Sequence, residues 1–403
     1  MLLGVSEPDP TSGGSSSSTT PRPSLNTRSG GSLAWLLGGV GVAGLAAAIA
    51  TRGSDARSAA SQDWPPFVLV TGLLLVGLVA NDDGLFAAAG HQIARVSRSG
   101  VLLFLGAAGT VGLVTAVLNL DTSVAFLTPV LIYTARSRRE DEAPLLYGCL
   151  LLSNAGSLFL TGSNLTNLIV LGRLHLSGAG FLARMWAPAL AGLAVTAVVV
   201  AVFERRSLRL NAERPTRPEP AKRGLGLVAI VGTTVLVIIL RSPALPVAIV
   251  GVVVVGFRLV TRKEQLRHVA EVLGVPVLAG LFGVAVALGT LGRAWSGPAT
   301  LLSHLDLWGT AAIAAAGSVL VNNLPAASLL ASRVPSHPYA LLIGLNLGPN
   351  LYVTGSLAWL LWLRSARNAG AKPSIAAASR IGAVAVPLSM AAALGLLILT
   401  GSS

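Results

Sequence analysis

Asp121 stands in NLDTSVAFLTP (residues 119–129), beside Asn119, Thr122 and Ser123, with long apolar segments on both sides. A carboxylate inside an apolar run is costly to keep, so it is a candidate for moving charge or binding a solute. Asp121 therefore reads as a proton carrier. The alternative is that it caps a helix beginning at Thr122 and does nothing else. Three further stretches carry short donors and acceptors. Residues 153–167 hold Asn154, Ser163, Asn164, Thr166 and Asn167. Residues 322–325 hold Asn322 and Asn323, which read as the tip of a turn, with Pro325 opening the returning helix. Residues 346–356 hold Asn346, Thr354 and Ser356. Such groups either bind a polar solute or satisfy backbone where a helix is interrupted, and both readings stand for each. The chain lacks GxxxxGK[ST], HExxH, clustered metal-ligand spacing and a nucleophile–base pair. An ATP motor or an enzyme on this chain is not supported, and no cofactor or metal is expected.

The elements that must position these residues are apolar and long. Hydrophobic residues make up 53% of the 403 positions and charged ones 11%, with mean hydropathy +0.73. A soluble domain carries about 25% charged residues, so lipid is the expected solvent. At about 20 residues per crossing, spans are predicted at 32–51, 65–81, 144–173, 181–203, 224–240, 243–260, 274–291, 338–364 and 378–400. Residues 100–135 and 307–335 are interrupted centrally and read as hairpins that enter and leave on one side. Residues 84–98 and 261–273 read as amphipathic interfacial helices or loop covers carrying His91 and His268, for which a solvated setting competes with proton sensing. Asp82 and Asp83 read as solvated at a helix end, and Gly-rich residues 38–44 as a close helix contact.

The net charge is +13. It lies in short loops between apolar segments and is read as topogenic, facing anionic lipid rather than nucleic acid. Arg95, Arg98, Arg136, Arg138 and Arg139 share one side with the basic loop 204–223 and with Arg262, Lys263 and Arg267. That places the N-terminus in the cytoplasm and the C-terminus outside. Cys149, the single cysteine, excludes an internal disulfide or a thiolate cluster and reads as core. Residues 1–31 are Ser-, Gly- and Pro-rich and read as a disordered tail without a cleavable signal.

An internal repeat organises the rest. LFLTGS at 158–163 parallels LYVTGS at 351–356, and Asn154-x-Gly156 parallels Asn346-x-Gly348. A hairpin precedes each copy, and by the charge count the two open from opposite sides. The expected fold is an all-α polytopic membrane protein of two inverted repeats, 32–203 and 224–403, joined by the basic linker 204–223. Each repeat has a re-entrant hairpin and a broken helix, and together they suit alternating access around a midplane site.

NLDTSVAFLTP, SLFLTGSNLTNLIV (157–170), VNNLPAASLL (321–330) and GLNLGPNLYVTGSLAWLLWL (344–363) resemble motifs of the arsenite/antimonite permeases. These belong to a superfamily of ion transporters that also holds sodium/proton antiporters and dicarboxylate and citrate carriers. The resemblance covers nearly all of residues 32–400. It implies inverted repeats, an elevator-like motion of the hairpin domain and a homodimer. Leu120 separates Asn119 from Asp121 where the family usually has Asn directly before Asp. Asn154 stands where an acid is frequent, and Asn350 where a Lys follows Gly-Pro. The expected function is proton-coupled efflux of arsenite or antimonite at a plasma (inner) membrane. Asp121 would carry the proton, and Asn119, Thr122, Ser123, Asn154, Ser163, Asn164, Thr166, Asn167, Asn322, Asn323, Asn346, Thr354 and Ser356 would line the site. The alternatives are a sodium- or proton-coupled carrier of an organic or inorganic anion, a sodium/proton antiporter, and a channel or membrane subunit of a partner ATPase.

Overall fold

A computed structural model describes residues 28–172, 174, 176–209, 224–261 and 264–401. Most of the expected tail (1–31) and linker (204–223), with His175, Arg262 and Lys263, lies outside the described residues. Among the described residues regular structure is helical throughout.

The described residues open with α1 (Arg28–Asp82), in which Arg52 alone leaves helical geometry, at φ −147° and ψ 59°. The bend reverses the chain. Before it, Gly38 faces Pro276, Gly41 faces Gly280 and Gly44 faces Ala287; after it, Ala59 faces Gly289 and the Phe67 ring lies 5.3 Å from that of Phe282. The two arms thus run in opposite directions along α11 (Val275–Ala294). The sequence reading placed a loop between spans at 52–64. Helix continues there because Ala56 and Ala59 are buried, and packing outweighs the local Ser and Gly content.

Next come α2 (Leu85–Val96), the hairpin α3 (Gly100–Val117) and α4 (Leu120–Ser137), the interrupted pair α5 (Ala143–Gly156) and α6 (Leu165–Leu171), and α7 (Gly178–Phe203). The second half holds α8 (Leu225–Ile239), α9 (Ala244–Val260), α10 (Leu266–Leu273), α11 and α12 (Gly297–Ser303). It continues with the hairpin α13 (Leu307–Val321) and α14 (Asn323–Leu330), the interrupted pair α15 (Pro338–Leu347) and α16 (Leu357–Asn368), and α17 (Ile375–Leu399). Among the described residues five stretches are long and apolar enough to cross a membrane: Gly38–Asp82, Gly100–Val117, Gly178–Phe203, Leu266–Ala294 and Ile375–Leu399. Val228, Ile239, Ile249, Val252 and Val253 are exposed along α8 and α9, a face that suits lipid.

Polar contacts define two ends. At the basic end, Arg136 Nη1 donates to the Ala369 carbonyl (2.7 Å), capping α16, and Arg138 donates to the carbonyls of Ala94 and Ser97, capping α2. Arg138 is 1% exposed and pairs with Glu140 (3.1 Å). Asp83, expected in water, is buried there instead: it pairs with Arg258 and accepts from the Gly226 N–H (2.7 Å). At the far end, Gln62, Ile169, Arg293 and Ala331 meet. The first hairpin has its open ends at the basic end and the second at the far end.

The core is crossed. The first hairpin (Leu103, Phe104, Leu127, Leu131) packs with Leu145–Leu152 of α5 and with Trp359 and Trp362 of α16. The second (Ala311, Ala314, Leu324, Ala327) packs with Leu165–Leu171 of α6 and Ala340–Leu347 of α15. Each interrupted pair therefore gives one arm to each hairpin. Outside this group, α1 and α11 touch backbone to backbone: a Cβ built on Gly41 would lie 2.1 Å from the Gly280 carbonyl oxygen. Gly41→Ala should force the helices apart and cost about 1–3 kcal/mol. Thermal unfolding in detergent checks this, and an unchanged midpoint would refute the contact.

Candidate functional site

The centre is built from helix starts. Asn119 caps α4, its Oδ1 accepting the Thr122 N–H at 2.6 Å. The helix begins at Leu120, so Asp121 is in its first turn and is not the cap. Asp121 is 9% exposed and has no hydrogen-bond or ion partner among the described residues. At the second tip Asn322 has φ 78°, a region Asn enters more readily than most residues. Its Nδ2 donates to the Thr354 carbonyl (3.2 Å), and the Asn323 N–H donates to the Gly355 carbonyl (2.9 Å), tying the tip to the break between α15 and α16. The returning helix starts at Asn323. Pro325 is its third residue, where the missing N–H has no intrahelical partner to lose.

The breaks supply two more starts. Asn164 caps α6 by accepting the Thr166 N–H (3.2 Å), and Ser356 occupies the cap position of α16. Asp121, Asn164, Asn322, Asn323 and Ser356 line one small cavity with Leu120, Leu165, Leu281, Leu324 and Leu357, with room for about 20 Å³. The N-terminal ends of α4, α14 and α16 face it. These ends carry partial positive charge and unpaired N–H groups. The lining holds no cationic side chain and one carboxylate, Asp121.

Behind the cavity lies an amide network. Asn346 Oδ1 accepts from Asn164 Nδ2 (2.7 Å) and Ser157 Oγ (2.5 Å), while its Nδ2 donates to Asn167 Oδ1 (2.9 Å) and the Leu342 carbonyl (2.8 Å). Asn154 Nδ2 donates to Asn350 Oδ1 (2.8 Å), and Ser356 Oγ reaches Asn154 Oδ1 at 3.5 Å. Asn350 Nδ2 donates to the Leu151 carbonyl (3.0 Å). Ser163 and Asn167 donate to the Ser157 and Leu160 carbonyls, closing the first break. Ser123 accepts from Ser153 Oγ at 3.3 Å, away from the cavity lining. Thr354 is exposed and donates to the Val319 carbonyl (2.5 Å). Asn119 Nδ2 and the hydroxyls of Thr122 and Thr166 are buried without partners among the described residues, which proteins rarely tolerate. Ser157 and Asn350 were missed as network members, although both sit inside motifs that drew attention.

Losing the Asn346 side chain would remove four hydrogen bonds, three of them to other side chains. In membranes such bonds are worth about 0.6 kcal/mol each on average, so Asn346→Leu should cost about 2 kcal/mol. A melting midpoint unchanged in detergent would contradict the hub.

Asp82, Glu264 and His268 also come together at the basic end, with candidate ligand atoms within 4.8 Å. Their separation along the chain hid this from motif spacing. Burial works to raise Glu264, but hydrogen bonds from Asp82 and the Gln265 N–H hold its carboxyl below the usual value. Cys149 is buried beside Thr128 (3.5 Å), apart from the cavity lining.

Long apolar helices, hairpins opening to opposite ends and interrupted helices meeting at a closed polar centre define a multi-pass membrane transporter rather than an enzyme. The chain belongs to the CitMHS family of citrate transporters, whose model matches residues 31–362. It is similar to the arsenical pump membrane protein of Escherichia coli, with 26% identity over 339 residues covering 74% of this chain and 78% of that protein. Inner membrane protein YbiR of Escherichia coli strain K12 is 28% identical over 329 residues, covering 77% and 82%. Among solved structures, the YdaH transporter of Alcanivorax borkumensis, described as having an unusual topology, aligns with TM-score 0.49 and 15% identity over 85% of this chain and 86% of that one.

Proposed function

We propose that this chain is a proton-coupled carrier that exports a small uncharged oxyacid, trivalent arsenic or antimony hydroxide, with Asp121 carrying the proton. The supporting observation is the lining: among the described residues it has one carboxylate without a partner, amides, a hydroxyl and helix starts around about 20 Å³, with no Arg, Lys or His. A tricarboxylate would need several cationic partners to replace its hydration. A trihydroxide needs only donors and acceptors, which Asn164, Asn322, Asn323 and Ser356 supply. With Cys149 elsewhere, no thiolate would hold trivalent arsenic too tightly to release it. The relatives named as arsenical pump proteins agree with this cargo.

The mechanism follows from the charge. With Asp121 protonated the centre carries no net side-chain charge and can reorient empty. With Asp121 ionised, the first turn of α4 offsets its charge and the carboxylate can accept from a bound hydroxyl. Exchange of proton for cargo drives net export. The basic end faces the cytoplasm of an inner membrane in this reading, with the N-terminus inside and the C-terminus outside. The second reading is a carrier of a small anion, favoured by the three helix starts.

Everted vesicles holding the protein, given arsenite or antimonite under an imposed pH gradient, decide between them. Accumulation that disappears when the gradient is collapsed supports the proposal. Absent accumulation from folded protein, with uptake of citrate or another anion, would replace the cargo. A co-purifying ATPase that the transport requires would replace the energy source.

A further inference from the structure

At the far end one side-chain amide of the outer frame, which is built of α1 and α11, reaches two of the central helices. Gln62, on α1, donates from Nε2 to the Ile169 carbonyl near the end of α6 (3.0 Å) and to the Ala331 carbonyl at the end of α14 (3.2 Å). Its Oε1 accepts from Arg293 Nη2 of α11 (2.5 Å). Next to it Asp63, 2% exposed, accepts from Ser328 Oγ of α14 (3.2 Å). Both α6 and α14 contribute their opposite ends to the cavity, through Asn164 and Leu165 and through Asn322, Asn323 and Leu324. The last carbonyls of a helix lack intrahelical partners, so each needs an outside donor.

The basic end solves the same problem differently. There the α16 carbonyls at Ala369 and Gly370 take their donors from Arg136, which ends α4 and belongs to the hairpin packed on α16. That cap travels with the central group. The Gln62 cap instead joins two bodies, one of which is locked by the glycine contact of α1 with α11.

We infer that Gln62 is a positioning residue that latches the far end shut and lets go of Ile169 and Ala331 when the cavity opens to that side. This rests on the carrier reading, because a carrier must expose its centre at each end in turn. The latch explains why a long, flexible amide stands where a rigid apolar contact would otherwise serve.

The test is thiol labelling of the full chain in nanodiscs, with the buried Cys149 changed to Ala. Ser332→Cys reports the far end, where Ser332 is 2% exposed just past α14; Ala371→Cys reports the basic end, where Ala371 is 5% exposed. A hydrophilic maleimide should label the Ser332→Cys reporter about tenfold faster when Gln62→Leu is added, the factor for one net hydrogen bond or slightly more. The Ala371→Cys reporter should be unaffected. An unchanged far-end rate would overturn the latch. So would equal acceleration at both reporters, which signals general loosening. If Gln62→Leu does not fold, Gln62→Asn, too short to span both carbonyls, carries the same two outcomes. Labelling needs no cargo, so a failed arsenite assay leaves this readout intact.

Discussion

Asp121→Asn should fold normally and lose gradient-driven accumulation, while exchange of labelled for unlabelled cargo at equal concentrations continues. The carboxylate has no partner among the described residues, and its burial is unfavourable to folding. Asparagine keeps its volume and strands nothing, so the melting midpoint should hold or rise slightly. What disappears is the titratable proton. Net export requires one leg of the cycle to carry it, whereas exchange requires only the loaded leg. Everted vesicles with and without a pH gradient measure the first activity, and preloaded vesicles the second. Full accumulation by Asp121→Asn would remove the proton from this residue. Loss of both activities in a folded protein would instead make Asp121 a cargo ligand.

Gly382→Ala should be the most damaging single methyl. A Cβ on Gly382 of α17 would lie 1.8 Å from the carbonyl oxygen of Asn350, closer than any contact can be, so backbone must move. The backbone that moves is the break between α15 and α16. Its displacement pulls Asn350 from Asn154 and Leu151 and shifts the cap of α16. Overpacking costs about 1–3 kcal/mol where side chains absorb it and more where backbone does, so a loss of at least about 3 kcal/mol is expected. Transport should fall with it. Gly395→Ala, on the same helix with nothing within 4 Å, is the matched control and should behave as wild type. Equal melting midpoints for the two variants would show that the break yields freely.

The local grammar of the chain was legible because it is written in neighbouring residues. Apolar runs broken by Asn, Ser and Thr mark the hairpins and the interrupted helices to within a few positions. The parallel between Asn154-x-Gly156 and Asn346-x-Gly348 marks equivalent places, the last turns of α5 and α15. What these residues touch was not legible. Asn154 bonds Asn350, 196 positions away, and Asn346 bonds Asn164 and Asn167, about as distant. No periodicity encodes such pairs. Charge misled at Asp83: beside Asp82 at a helix end it reads as solvated, yet Arg258 from α9 covers it. The cap of α4 was ambiguous because Asn119 and Asp121 are both good caps two residues apart, and only the backbone decides. Of the proposed lining, Asp121, Asn164, Asn322, Asn323 and Ser356 reach the cavity; Asn154, Asn167 and Asn346 stand behind it. Thr354 steadies the second tip from the outside.

The crossed core bears on recombination. A gene chimera that takes residues before the 204–223 linker from one relative and the remainder from another would leave each half intact. It would also cut every polar pair that joins Asn154 to Asn350 and Asn346 to Asn164 and Asn167. Each hairpin would then lie on one helix arm from its own parent and one from the other. Halves of this chain are therefore poor units of exchange. The better grafts are the outer frame as one piece and the hairpins with all four interrupted arms as the other, although neither is contiguous in the gene.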